Sequence, residues 1–282
     1  MKVAVKQQDS QQDAQQETLH EVYCYTGGKA FDATLPTIVF IHGAQNDHSV
    51  WALPARYFAH HGYNTLAVDL PGHGRSQGAP LATVEALSAW LIDLLATIGI
   101  SKAILVGHSM GSLIALETAA HASANIAGLI LIGTANPMKV SDALLEAANH
   151  DQARAISMVK KWSHFEPDAR MLARSQGLME RIARLDQHNP AKSAQQPTAF
   201  HADLAACNNY QHGTLAAAAI TCPTLFLLAN QDLMTPPKAA ADLCAAIPHA
   251  QVVQIDQSGH ALMSQQPRQM LEHLCQFTSR LK

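Results

Sequence analysis

The chain has no run of about 18 apolar residues, the length a bilayer-spanning helix needs, so no membrane span is expected. It has no polycationic stretch either. A formal net charge of −3 at pH 7 offers no face for a nucleic-acid backbone. Met1-Lys2-Val3-Ala4-Val5-Lys6 runs into Gln- and Asp-rich sequence without the apolar core of a secretory leader. Residues 1–18 therefore read as a disordered tail, with no periodicity from 7 to 17. Cysteine is sparse: Cys24, Cys207, Cys222, Cys244 and Cys275 are scattered, odd in number and form no C-x-x-C. They read as free thiols in a reducing compartment, and the cytoplasm is the expected location. Metal signatures are also missing. The 16 histidines include no H-E-x-x-H, and adjacent His60 and His61 point to different faces. No metal and no cofactor are expected.

What is present is alternation. Glu21-Val22-Tyr23-Cys24-Tyr25 reads as an early strand, and strand patterns recur at 37–42, 65–70, 103–107, 127–132, 224–229 and 251–255. Helical patterns separate most of them, near 49–61, 83–98, 110–122, 237–247 and 267–281. Buried strands alternating with helices imply an α/β fold, a mostly parallel sheet covered on both faces. In such sheets the functional site collects at the carboxyl ends of the strands. One stretch breaks the rhythm. From Asn136 to Gly213 there is no strand pattern, only helical ones near 141–164 and 167–187 and a Pro/Gln/Asn-rich loop at 188–197. That is too long for a connection. The expected division is a core of 19–135 and 214–282, with a helical cap at 136–213.

The sharpest motif is Gly107-His108-Ser109-Met110-Gly111, between apolar Ala103-Ile104-Leu105-Val106 and a helical pattern from Ser112. A tight strand-to-helix turn aims the serine hydroxyl outward, and the glycines leave room for neighbouring backbone. The helix N-terminus faces the same spot and suits a developing oxyanion. A serine needs a base and an acid that orients the base. Asn230-Gln231-Asp232 lies just past one strand and Ser258-Gly259-His260 just past the next. Ser109, Asp232 and His260 are the candidate catalytic residues. Asp256 is the rival acid, although it is close to His260 in sequence and its reach to the ring is less assured. Thr134-Ala135-Asn136, after strand 127–132, offers no carboxylate.

With these blocks in hand, residues 20–280 resemble an α/β-hydrolase-fold serine hydrolase, which places its triad in this serine–acid–histidine order. Ile41-His42-Gly43-Ala44 resembles the family's oxyanion turn, and Asp69-Leu70-Pro71-Gly72-His73-Gly74-Arg75-Ser76 its loop after the next strand. The resemblance implies an oxyanion hole of the Ala44 and Met110 N–H groups. His42, Trp51, Met138, Trp162 and Phe165 are the expected pocket residues, and His42 reads as a hydrogen-bonded structural residue of the turn rather than a second base. Asn46, His48, Met158 and Met179 are further wall candidates. His108 reads as packing, and Arg75 as an anchor of its own loop.

The implied activity is cleavage of a small carboxylic ester through an acyl-enzyme, with a small-molecule ester as the only expected partner. The same triad serves a thioesterase, a cofactor-free perhydrolase (haloperoxidase-like) or a carbon–carbon hydrolase. The last usually carries a tryptophan after the histidine and often a glycine after the elbow; Ala261 and Ser112 stand there. Dehalogenases and epoxide hydrolases need a carboxylate nucleophile, which Ser109 is not. A noncatalytic ligand-binding module often loses a triad member, and this chain keeps all three. The oligomeric state is open.

Overall fold

The computed structural model describes residues 1–8, 17–192 and 196–281. Eight strands form one sheet: β1 Lys2–Gln8, β2 Glu17–Tyr25, β3 Thr37–Ile41, β4 Asn64–Val68, β5 Ala103–His108, β6 Ile126–Ile132, β7 Thr224–Ala229 and β8 Gln251–Ile255. Their order is β1-β2-β4-β3-β5-β6-β7-β8. The pairs β1–β2 and β2–β4 are antiparallel and all the others parallel. The core helices are α1 Ala52–Ala59, α2 Val84–Ile98 and α3 Met110–His121. Between β6 and β7 stand α4 Asp142–His150, α5 Gln152–Trp162, α6 Ala169–Gln187, α7 Ala199–Asn209 and α8 Gly213–Ala218. Then come α9 Ala241–Ala246, α10 Leu262–Gln265 and α11 Pro267–Thr278.

The central strands are buried along their whole length, which is why Thr-Ile-Val-Phe-Ile and Asn-Thr-Leu-Ala-Val read as continuous runs. Alternate residues feed two cores. Val39, Ile41, Leu66, Val68 and Leu105 pack with α2 and α3 on one face. Ile38, Phe40, Ala67, Ile104 and Val106 pack on the other with Phe58, Leu274 and Phe277. Helix α2 shows how sequence sets the boundaries. Thr83 caps it by accepting from the Ala86 N–H, and Gly99 ends it in the left-handed region at φ +79°.

The segment between β6 and β7 has its own small core, built from Leu144, Ala148, Ile156, Met179, Phe200 and Leu204. Ala44 packs against it from the β3 side.

The N-terminus corrects the sequence reading. Residues 2–8 are not a disordered tail but strand β1, in register with β2 from Lys2 opposite Tyr23 to Gln8 opposite Glu17. The alternation that explains it was present: Val5 is buried in the core while Lys2 turns outward to pair with Glu21. Residues 9–16 of the expected tail lie outside the described residues. No described helix is long and apolar enough to cross a membrane.

Candidate active site

Strand β5 ends at His108, and α3 begins at Met110, so Ser109 takes the whole reversal. Its backbone sits at φ 54°, ψ −122°, outside the regions open to ordinary residues. The glycines make this turn possible. A Cβ on Gly107 would come 2.1 Å from the Gly111 carbonyl oxygen, and one on Gly111 would come 2.3 Å from that of Ile41. As the residue preceding α3, Ser109 could have capped the helix, yet its side chain makes no capping hydrogen bond. The hydroxyl is left for other use.

The turn after β3 passes directly beside it. A Cβ on Gly43 would lie 3.0 Å from the Ser109 Cβ. Neither the Ala44 N–H nor the Met110 N–H finds a protein acceptor among the described residues. Met110 opens α3, where an N–H has no acceptor within the helix. Met110 follows Ser109 directly and Ala44 lines the same cavity as Ser109, and unbonded N–H groups near a hydroxyl suit a developing oxyanion.

Asp232 and His260 follow β7 and β8. His260 Nδ1 stands 2.8 Å from Asp232 Oδ2, and both residues are buried. A carboxylate on Nδ1 fixes the proton there and leaves Nε2 as the basic nitrogen. Burial alone would raise the Asp232 pKa. Instead the facing His260 and donors from Thr235 hold it below the usual carboxylate range. Asp256 does not reach the ring; it accepts from the Asn230 side chain at the surface.

Two supporting contacts escaped the sequence reading. Thr235 donates its hydroxyl to Asp232 Oδ2 at 2.8 Å, and its N–H reaches Asp232 Oδ1, also at 2.8 Å. The D-x-x-T spacing was the available signal, since an aspartate often accepts from the backbone a few residues on. His108, expected only to pack, lies 2.9 Å through Nε2 from the His260 carbonyl oxygen. Burial and the nearby His260 push its pKa down to about 3, so the ring is neutral and Nε2–H donates.

A cavity of about 920 Å³ opens over Ser109 and His260. Of the expected wall residues, Met138 and Trp162 line it, as do Asn46 and Met179. Others do not. Trp51 is fully buried against Phe40, in the core that Phe58 and Phe277 share. His42 is buried as well: its Nε2 accepts from the Leu70 N–H and its Nδ1 donates to the Gly43 carbonyl. Burial pushes its pKa down to about 4, which fits that neutral, structural arrangement. Phe165 is absent from the wall. Its backbone clamps Gln265, which also accepts from the Gly259 N–H beside His260. His48 and Met158 also lie off the wall. Lys139, Arg170 and Arg174 line the cavity and are exposed, and among the described residues Asp168 is the only carboxylate there. That carboxylate is occupied in capping α6.

Asp47, His48 and Asp69 bring potential metal-ligand atoms within 4.8 Å of one another. Their hydrogen bonds already explain the grouping. Asp69 Oδ1 accepts from the His48 ring and N–H, and Asp69 Oδ2 from the Arg75 N–H. Arg181 sits 2.6 Å from Asp47.

A buried pair ties the loop after β4 to α7. His73 Nε2 lies 2.9 Å from Asp203 Oδ2, and His73 Nδ1 lies 3.0 Å from the Pro71 carbonyl oxygen. Both ring nitrogens face acceptors, so the ring carries two protons. Burial works against this cation, but Asp203, with help from the Pro71 carbonyl and Asp69, raises the His73 pKa to about 9. A raised histidine pKa stabilises the fold below the unfolded value of about 6.5. That stabilisation is lost as pH rises through about 9. Melting temperature should therefore fall between neutral and strongly alkaline pH, and His73→Gln should flatten that slope.

The chain is similar to known hydrolases. The sn-1-specific diacylglycerol lipase ABHD11 of Mus musculus is 26% identical over 259 residues, 87% of this chain and 82% of its own. A thermophilic esterase from Thermogutta terrifontis superposes with a TM-score of 0.78 at 21% identity, covering 100% of this chain and 99% of its own. An esterase from Exiguobacterium antarcticum does so with a TM-score of 0.79 at 18% identity, covering 99% and 100%. These two structures share the fold. The family model described as the alpha/beta hydrolase fold matches residues 36–267, and the chain belongs to that family of hydrolases.

Proposed function

We propose that the protein is a serine esterase acting on small carboxylic esters, with Ser109, His260 and Asp232 as its triad. The observation that carries this reading is the 2.8 Å Asp232–His260 contact opening, with Ser109, onto one cavity. Ser109 Oγ attacks the ester carbonyl as His260 Nε2 takes its proton. The Ala44 and Met110 N–H groups hold the oxyanion. Collapse expels the alcohol, which takes the proton from His260. Water, deprotonated by the same nitrogen, then attacks the acyl-enzyme, releases the acid and restores Ser109. Asp232 keeps the imidazole in the working tautomer, and Thr235 keeps Asp232 in place.

The helical segment 136–213 acts as the cap. Met138, Leu144, Trp162, Met171, Met179 and Phe200 give the cavity an apolar roof. Each buried methylene gains about 0.8 kcal/mol while there is space for it. Across acetyl to palmitoyl esters of one activated alcohol, kcat/KM should rise and then drop once the cavity is full. A steady climb to palmitoyl, or a jump at a lipid–water interface, would contradict a closed pocket.

One observation favours a second reading, an acyl substrate that carries an anion, thioesters of phosphate-bearing carriers included. The wall has three cationic side chains against one carboxylate, although the whole chain is net negative. The same ester series should include matched neutral and carboxylate-bearing acyl groups. Preference for the charged member, lost when Arg170 and Arg174 are both replaced by Gln, would support this reading over the neutral one.

A further inference from the structure

The turn that carries the Ala44 N–H holds a residue in an unfavourable conformation. Gln45 has φ +54°, a left-handed value that a residue with a side chain adopts only when its surroundings impose it. Those surroundings come from the helical segment. The Gln45 N–H donates to Asp203 Oδ2 on α7 at 2.9 Å. The Gln45 side-chain amide donates to the Met179 carbonyl on α6, also at 2.9 Å. The same Asp203 oxygen meets His73 Nε2, so α7 grips the loop after β4 and the turn after β3 through one carboxylate. Gln45, His73 and Asp203 are each at most 2% exposed. Water cannot substitute for these bonds, and a buried N–H without a partner is costly. The peptide that carries the Ala44 N–H joins Gly43 to Ala44, and the next one joins Ala44 to Gln45, so Ala44 is anchored on its C-terminal side by a residue that the helical segment fixes.

We propose that Asp203 is a positioning residue: it bridges Gln45 and His73 so that docking of the helical segment sets the oxyanion turn. The segment is then more than a roof. It completes the electrostatic half of the site, and loss of the Asp203 bridge alone leaves the contacts of Ser163 and Phe165 beside His260 in place with one donor misaimed. This rests on the esterase reading above, because it concerns the donor that reading assigns to Ala44.

The test is active-site titration with a fluorophosphonate, followed by kinetics per titrated site on an activated ester, for wild type, Asp203→Ala and Asp203→Asn. A donor aimed at the transition state acts on kcat and hardly on KM. Removing such a donor outright costs about 100- to 1000-fold, so misaiming it in Asp203→Ala should cost about 10- to 100-fold in kcat per site. KM should stay within about threefold. The rate of phosphonylation, which also builds a negative oxygen in the hole, should fall by a similar factor. Asp203→Asn keeps an oxygen for the Gln45 N–H and should fall between wild type and Asp203→Ala. A purely structural role would lower the titrated fraction and leave kcat per site unchanged; that result overturns the proposal. If Asp203→Ala does not fold, Asp203→Asn carries the same two outcomes. Wild type that is neither titrated nor active would instead remove the esterase reading itself.

Discussion

Ser109→Ala should abolish hydrolysis, lowering kcat on an activated ester by about a million-fold, the loss typical of removing a serine nucleophile whose base and oxyanion donors remain. The fold should survive. Ser109 makes no capping bond through its side chain, and alanine keeps the Cβ already packed against Gly43. Alanine at φ 54° costs no more than serine does there, so the melting temperature should hardly move. KM, where residual activity allows it to be measured, should stay near the wild-type value, because the cavity wall is intact. Substantial turnover by Ser109→Ala would mean that the chemistry lies elsewhere.

The second large effect separates two aspartates. Asp232→Asn should lower turnover by about 10,000-fold, because the amide can donate to His260 Nδ1 and stabilise the tautomer that cannot accept the serine proton. Asp256→Asn should change turnover by less than about threefold, since its partner is Asn230 at the surface and not the His260 ring. Kinetics of the two variants side by side decide the matter. A large loss in Asp256→Asn with little in Asp232→Asn would reverse the assignment. Asp232 also accepts from the Met234 and Thr235 N–H groups. An asparagine can retain its oxygen toward those donors, so loss of activity should exceed loss of stability.

The sequence was readable where chemistry and geometry are local. The Gly107–Gly111 turn is specified by two close backbone approaches that only glycine tolerates, so the motif and its conformation are nearly one statement. The central strands were legible because burial on both faces leaves continuous apolar runs. Strand β1 was not. Its pattern is short, and its partner β2 follows the undescribed stretch 9–16, so the alternation of Val3 and Val5 competed with a neighbouring polar tract. The pocket wall was the least legible part. Proximity along the chain to the oxyanion turn put Asn46, His48 and Trp51 at the mouth, whereas only Asn46 lines the cavity and Trp51 is buried in the core against Phe40. The bond between Gln45 and Asp203 joins residues 158 positions apart. No periodicity encodes such a pair, and only the docking of α7 brings it together.

The most direct measurement of the central claim is the site of covalent capture. The protein is treated with a fluorophosphonate, digested and mapped by mass spectrometry, with Ser109→Ala and His260→Ala in parallel. The account predicts one adduct per chain, on Ser109, with none in Ser109→Ala and strongly slowed labelling in His260→Ala, because the hydroxyl then has no base. An adduct on another residue, or undiminished labelling of Ser109→Ala, would contradict it.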